Sequence, residues 1–138
     1  MMKKVYIAGP LFNKHEQKYL EEIAEVLELN GYECFLPHRD QTVDPEELKG
    51  IDMSQETKDI IFQTDLAALE EADITVALIT GQDIDSGTCS EIGYSFAMKK
   101  PVLAIDAYER RYRNLFVEGM LTKTINDTNE LLKEIRKL

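Results

Sequence analysis

Residues 74–80, "ITVALIT", place an unbroken apolar and β-branched run in the middle of the chain, the make-up of a strand buried on both faces. Such a strand needs a covering layer on each side, and a parallel sheet between helices supplies both. The flanking sequence alternates accordingly. "KKVYIAG" (3–9) is a short apolar strand closed by Gly9-Pro10, and "NKHEQKYLEEIAEVLELNG" (13–31) sets Leu20, Ile23, Ala24 and Leu27 on one helical face, with Gly31 as C-terminal cap. "YECFLP" (32–37) is a second strand. Residues 38–53, acidic and without periodicity, form a loop long enough to be a lid or rim.

Ser54 opens a second helix, "SQETKDIIFQTDLAALEEAD", ahead of the central strand. A third helix follows in 83–100, then a fourth strand, "PVLAID" (101–106), and a loop with one or two helical turns, "ERRYRNLFVEGML" (109–121). "TKTI" (122–125) is a short edge strand, and "NDTNELLKEIRKL" (126–138) is a capped terminal helix with Leu131, Leu132, Ile135 and Leu138 inward. The expectation is one α/β domain over 1–138 with a doubly wound parallel sheet and helices on both faces. Its ligand would bind beyond the carboxyl ends of the strands, where 6–12, 81–91 and 106–116 come to one edge.

Charge narrows the ligand. A net charge of −10 over 138 residues and a pI near 4.7 argue against nucleic acid or an anionic membrane surface and fit a small neutral or cationic molecule. Cys34 and Cys89 are too few for a disulfide framework, so a reducing cytoplasmic compartment is expected. No signal-peptide h-region or membrane span is read at the N-terminus. His15 and His38 are far apart in sequence and suggest no metal site.

At the ligand edge, "DIDSGTCSEIGYSFAMKKPV" (83–102) gathers Asp85, Ser86, Gly87 and Glu91. Thr88-Cys89-Ser90-Glu91 matches a T-x-x-E capping box, in which Glu91 would only satisfy a backbone N–H. Asp85 and Ser86 read equally as cap residues, and Gly87 as a source of positive φ. Asp65 is harder to explain in that way. At 100° per residue it falls inside the apolar stripe of Ile61, Phe62, Leu66, Leu69 and Ala72. Carboxylates gathered at a strand-end crevice suit acid/base and nucleophilic work on a bond that cleaves through a cationic transition state.

"VYIAGPLF" (5–12), "TDLAALEEAD" (64–73) and above all "DSGTCSEIGYSFAMKKPV" (85–102) resemble the nucleoside 2-deoxyribosyltransferase family, with its signature D-x-G-T-x-x-E-x-G-x-A. The resemblance spans most of residues 4–121 and implies a flavodoxin-like, Rossmann-like fold with a five-stranded parallel sheet. It implies Glu91 as nucleophile, Asp65 as proton carrier for the base and Tyr6 as the hydroxyl that orients Glu91. Asp85, Gly9, Ser86 and Gly87 are implied on the sugar side. Asn114-Leu115-Phe116 looks like the N-L-M segment by which relatives reach a neighbouring subunit's site, with Phe116 departing from the pattern. A homo-oligomer with shared sites, no cofactor and no metal are implied with it. A helix N-terminus would favour the ionised form of Glu91, and Gly87 and Gly93 would leave room for the sugar and for close helix packing.

Three functional readings compete. The first is transfer of 2-deoxyribose between nucleobases through a covalent intermediate on Glu91. The second is hydrolysis of deoxynucleoside 5′-monophosphates. Asp85 speaks against it, because a carboxylate repels phosphate and accepts from a free 5′-hydroxyl, whereas Ser86, Ser90 and the Arg110, Arg111, Arg113 cluster would cradle phosphate. The third is a non-catalytic nucleotide-sensing or receiver-like module. A receiver wants an acid after strand one, where this chain has Gly9-Pro10, and the diglycine of P-G-G-x-G-T-x-x-E phosphoribohydrolases is missing.

Overall fold

The computed structural model describes residues 2–43, 52–81, 83–108 and 114–138. Its elements run β1 Lys4–Ala8, α1 Lys14–Leu29, β2 Glu33–Phe35, α2 Pro37–Asp40, α3 Gln55–Glu71, β3 Ile74–Ile79, α4 Ser86–Ala97, β4 Val102–Asp106, α5 Leu115–Met120, β5 Lys123–Ile125 and α6 Thr128–Ile135. All strand pairings are parallel, in the order β2-β1-β3-β4-β5. That order is flavodoxin-like, and the direction of winding reverses between β1 and β3, opening a crevice at their carboxyl ends.

Period-two alternation divides the core into two layers. Val5, Ile7, Ile74, Val76, Leu78, Leu103 and Ile105 pack against Leu20, Ile23 and Leu27 of α1 and Leu131 and Ile135 of α6. The opposite side chains, Tyr6, Ala8, Ala77, Ile79, Val102 and Ala104, meet Leu69 of α3, Ile92 of α4 and Val117 of α5. α1 ends as its sequence suggests. Gly31 takes φ +89°, and the N–H groups of Gly31 and Tyr32 return to the carbonyls of Glu28 and Leu27, the paired bonds of a Schellman cap.

The structure corrects three expectations, at the end of β2, at Leu138 and at Phe62. β2 stops at Phe35, and Pro37–Asp40 is one helical turn with Pro37 at its start rather than the beginning of a loop. The lid reading for 44–51 lies outside the described residues. Leu138 is exposed, because α6 ends at Ile135, before another turn would carry it inward. Phe62 is 61% exposed, so the inward side of α3 runs through Thr57, Ile61, Asp65 and Leu69, with Phe62 at its border. No helix among the described residues is long and apolar enough to cross a membrane.

Candidate active site

A cleft of about 700 Å³ opens between the turn after β1, the inward side of α3 and the head of α4. Tyr6, Asp65, Asp85 and Glu91 line it together, so three carboxylates and a phenol from three separate elements converge where the sheet winding reverses.

Tyr6 points from the α3/α4 side of β1 and is fully buried. Its ring stacks on Phe35 of β2 at 5.6 Å with a 21° interplanar angle, and its hydroxyl donates to Glu91 Oε2. Burial, and then the nearby Glu91 and Asp65 charges, hold this phenol far above its ordinary range. It therefore remains a donor at every physiological pH.

The helix start decides what Glu91 is free to do. Asp85 is the N-cap of α4: its carboxylate accepts from the Thr88 backbone N–H at 3.2 Å and from the Thr88 hydroxyl at 2.5 Å. Thr88 is thus inside the first turn and caps nothing, so the T-x-x-E capping box does not form. Glu91 falls in the second turn and reaches inward to Tyr6. Burial pushes its carboxyl up to about 7, against the lowering effect of the Tyr6 hydroxyl, with the Asp65 and Asp85 charges adding to the rise. The expected bias of the helix N-terminus toward ionised Glu91 is outweighed, because that effect fades beyond the first turn while desolvation does not.

Asp65 is half-buried on the cleft side of α3. Burial raises its carboxyl to about 6, offset in part by a hydrogen bond from Gln41, whose Nε2 lies 2.6 Å from Asp65 Oδ1. Gln41 was not singled out from sequence, since it sits in the aperiodic stretch after β2. Its Oε1 is buried without a hydrogen-bond partner among the described residues.

The remaining sugar-side candidates separate. Gly9 and Gly87 line the cleft, and so does Ser90 in place of Ser86. A Cβ on Gly9 would stand 2.7 Å from Leu20 Cδ2 and 3.0 Å from Leu78 Cβ, so close packing alone demands glycine there. Gly87 does not have positive φ, and a Cβ on it would meet only Asp85 Oδ2, at 3.4 Å. At Gly93 a Cβ would sit 3.8 Å from Met120 Cε, ordinary contact, so helix packing does not require glycine. Asn114 and Phe116 do not line the cleft of their own chain. Asn114 caps α5 through the Phe116 and Val117 N–H groups, leaving Leu115 and Phe116 at 69% and 80% exposure. Arg110, Arg111 and Arg113 lie outside the described residues.

The family described as nucleoside 2-deoxyribosyltransferase matches residues 5–133. The chain belongs to the nucleoside 2-deoxyribosyltransferase family. Within reach of this family are a protein named nucleoside deoxyribosyltransferase from Limosilactobacillus fermentum, 30% identical over 108 residues, covering 74% of this chain and 64% of that relative. A second relative, from Thermofilum pendens, is named putative 2′-deoxynucleoside 5′-phosphate N-hydrolase 1 and is 32% identical over 140 aligned positions, 96% of this chain and 92% of its own. The solved structure of the 2-deoxyribosyltransferase from Bacillus psychrosaccharolyticus superposes with a TM-score of 0.78 at 27% identity, covering 93% of this chain and 89% of that one. The family therefore joins transferases and N-hydrolases by name, and residues of the cleft must distinguish them.

Proposed function

We propose that the chain moves 2-deoxyribose from one nucleobase to another, with Glu91 as nucleophile. A Glu91 carboxylate oxygen bonds to the anomeric carbon as the C–N bond breaks, and that bond's electron pair leaves with the base nitrogen, which takes a proton from Asp65. The incoming base returns its proton to Asp65 and attacks the same carbon, releasing the Glu91 carboxylate. The scheme needs no cofactor. The observation that carries it is the convergence of Glu91 and Asp65 in one cleft with the Tyr6 hydroxyl fixed on Glu91. Leu66, Leu69 and Phe12 give the cleft the apolar wall a base would stack against.

Asp85 favours a free nucleoside. Its carboxylate already fills the head of α4, where a phosphate would otherwise meet backbone N–H groups, and it would repel a second anion while accepting from a 5′-hydroxyl. Hydrolysis of 5′-monophosphates is the second reading, favoured by the near full-length match to the N-hydrolase from Thermofilum pendens. The exposed Leu115 and Phe116 beside the Asn114 cap support a homo-oligomer in which this segment enters a neighbour's cleft. Two free thiols accord with a cytoplasmic role in nucleoside salvage.

The test is to incubate purified protein with a 2′-deoxynucleoside and a different free base, and separately with a deoxynucleoside 5′-monophosphate, following products by chromatography. A new deoxynucleoside in the first tube supports transfer. Rapid release of base only in the second would replace it with the hydrolase, and silence in both, from folded protein, would restore the sensing module. Full activity from a monomer would overturn the shared site.

A further inference from the structure

Gln41 reaches Asp65 from just beyond a single helical turn, and the described residues 41–43 belong to no helix or strand. The residues that precede it fasten that turn. The Arg39 guanidinium forks onto Glu28 of α1, with Nη1 and Nη2 each 3.0 Å from a carboxylate oxygen. Its Nε and Nη2 also donate to the two oxygens of Asp40 at 2.9 Å, and Nη2 reaches the Cys34 carbonyl of β2 at 3.1 Å. Asp40 in turn accepts from the Leu36 N–H at 2.9 Å. One side chain thus ties α1, β2 and α2 together at the residues immediately before Gln41.

The Arg39 and Glu28 side chains are 35% and 40% exposed, so the ion pair contributes little to stability in water. A planar, bidentate arrangement fixes geometry instead. We propose that Arg39 is a positioning residue for Asp65, clamping the 37–40 turn so that the Gln41 amide stays within hydrogen-bond reach of the Asp65 carboxyl. Only the catalytic consequence rests on the function proposed above; the clamp itself is a statement about the free protein.

The experiment is an NMR titration of the Asp65 carboxyl. Among the described residues, Glu91 and Tyr94 of α4, its N-cap Asp85 and Tyr6 of β1 are the titratable groups that line the cleft with it, and Glu91 and Tyr6 are the two whose charges couple to it, so the curves are recorded in a Glu91→Gln background, which removes the coupled carboxyl. Loss of a donated N–H raises a carboxyl midpoint. Gln41→Ala should therefore raise it by about half a pH unit or more, Arg39→Met should raise it equally, and the two together no further. An unmoved midpoint in Arg39→Met beside a raised one in Gln41→Ala would overturn the proposal, as would additive shifts. Arg39→Lys keeps the charge without the fork and serves if Arg39→Met does not fold; it should give the same direction. In the Glu91-containing protein, Arg39→Met should lower kcat about tenfold with little change in KM. A raised midpoint with unchanged turnover would leave the clamp standing and remove the proton-carrying role of Asp65.

Discussion

The two faces of the sheet are built from the same strands and solve different problems. Toward α1 and α6 each strand presents large aliphatic side chains, such as Ile7, Val76, Leu78, Leu103 and Ile105, and the helices answer with leucine and isoleucine. Toward α3 and α4 the same strands present Ala8, Ala77, Ala104, Tyr6 and Thr75 beside the aliphatic Ile79 and Val102, and the buried polar residues Thr57, Thr75, Thr88 and Ser95 all belong to this side. One layer maximises apolar contact, while the other gives up contact for small side chains, hydroxyls and two half-desolvated carboxyls. A buried polar group costs free energy unless it is bonded, so the second layer is retained for what its groups do. The division predicts that damage on one face shows as lost stability and damage on the other as lost chemistry.

The sharpest test pairs Glu91→Ala with Leu27→Ala. The first should reduce turnover by about 10³-fold or more with the circular-dichroism spectrum and unfolding midpoint nearly preserved. The second should cost about 2–5 kcal/mol of stability with activity per folded molecule unchanged. Appreciable transfer or hydrolysis by Glu91→Ala would break the comparison at its centre. Asp65→Asn should slow the reaction by about 10²-fold, least for substrates whose base is a good leaving group. Equal losses for all bases would deny Asp65 its proton-transfer role.

The aliphatic face was readable because nothing competes with burial there. Leu20, Ile23, Ala24, Leu27 and the cap at Gly31 follow from spacing alone, and all take the places that spacing assigns. The other face was readable only in part. Asp65 betrayed itself by interrupting a stripe, but Phe62, apolar in that same stripe, borders a cleft and stays exposed. At the head of α4 two cap candidates, Asp85 and Thr88, stand three residues apart, and sequence offers no way to choose. The choice follows from Asp85 taking both the N–H and the hydroxyl of Thr88, which also frees Glu91. Gln41 had no periodicity to mark it, since tertiary fastening rather than local propensity puts it beside Asp65.

The carboxyl values sharpen the comparison through pH. The proposed transfer needs Glu91 ionised, with its carboxyl at about 7, and Asp65 protonated, at about 6. A plot of kcat/KM against pH should be a narrow bell centred between about pH 6 and 7, with apparent values belonging to the pair. Asp65→Asn should remove the alkaline limb. Stability runs in the same sense: a carboxyl raised from its ordinary 4.5 to about 7 favours the fold fully below about 4.5 and loses that advantage as pH rises through about 7. Glu91→Gln should therefore raise Tm by about 5 °C at pH 8 and by clearly less at pH 5. An equal rise at both would mean that Glu91 is not desolvated.

The smallest effect tests the polar layer where it touches no ligand. Thr75 Oγ1 of β3 and Ser95 Oγ of α4 lie 2.8 Å apart, both fully buried, and Ser95 also donates to the Glu91 carbonyl at 2.8 Å. The pair links the turn that carries Glu91 to a central strand. Ser95→Ala leaves the Thr75 hydroxyl buried with its Ser95 partner gone, at a cost of about 1–3 kcal/mol. Thr75→Val made with it removes the stranded hydroxyl, and should recover most of that loss. Urea unfolding of the single and double variants measures both. If the double variant were no more stable than Ser95→Ala, the hydroxyl pair would not be a satisfied unit, and this part of the polar layer would be held by packing as the aliphatic face is.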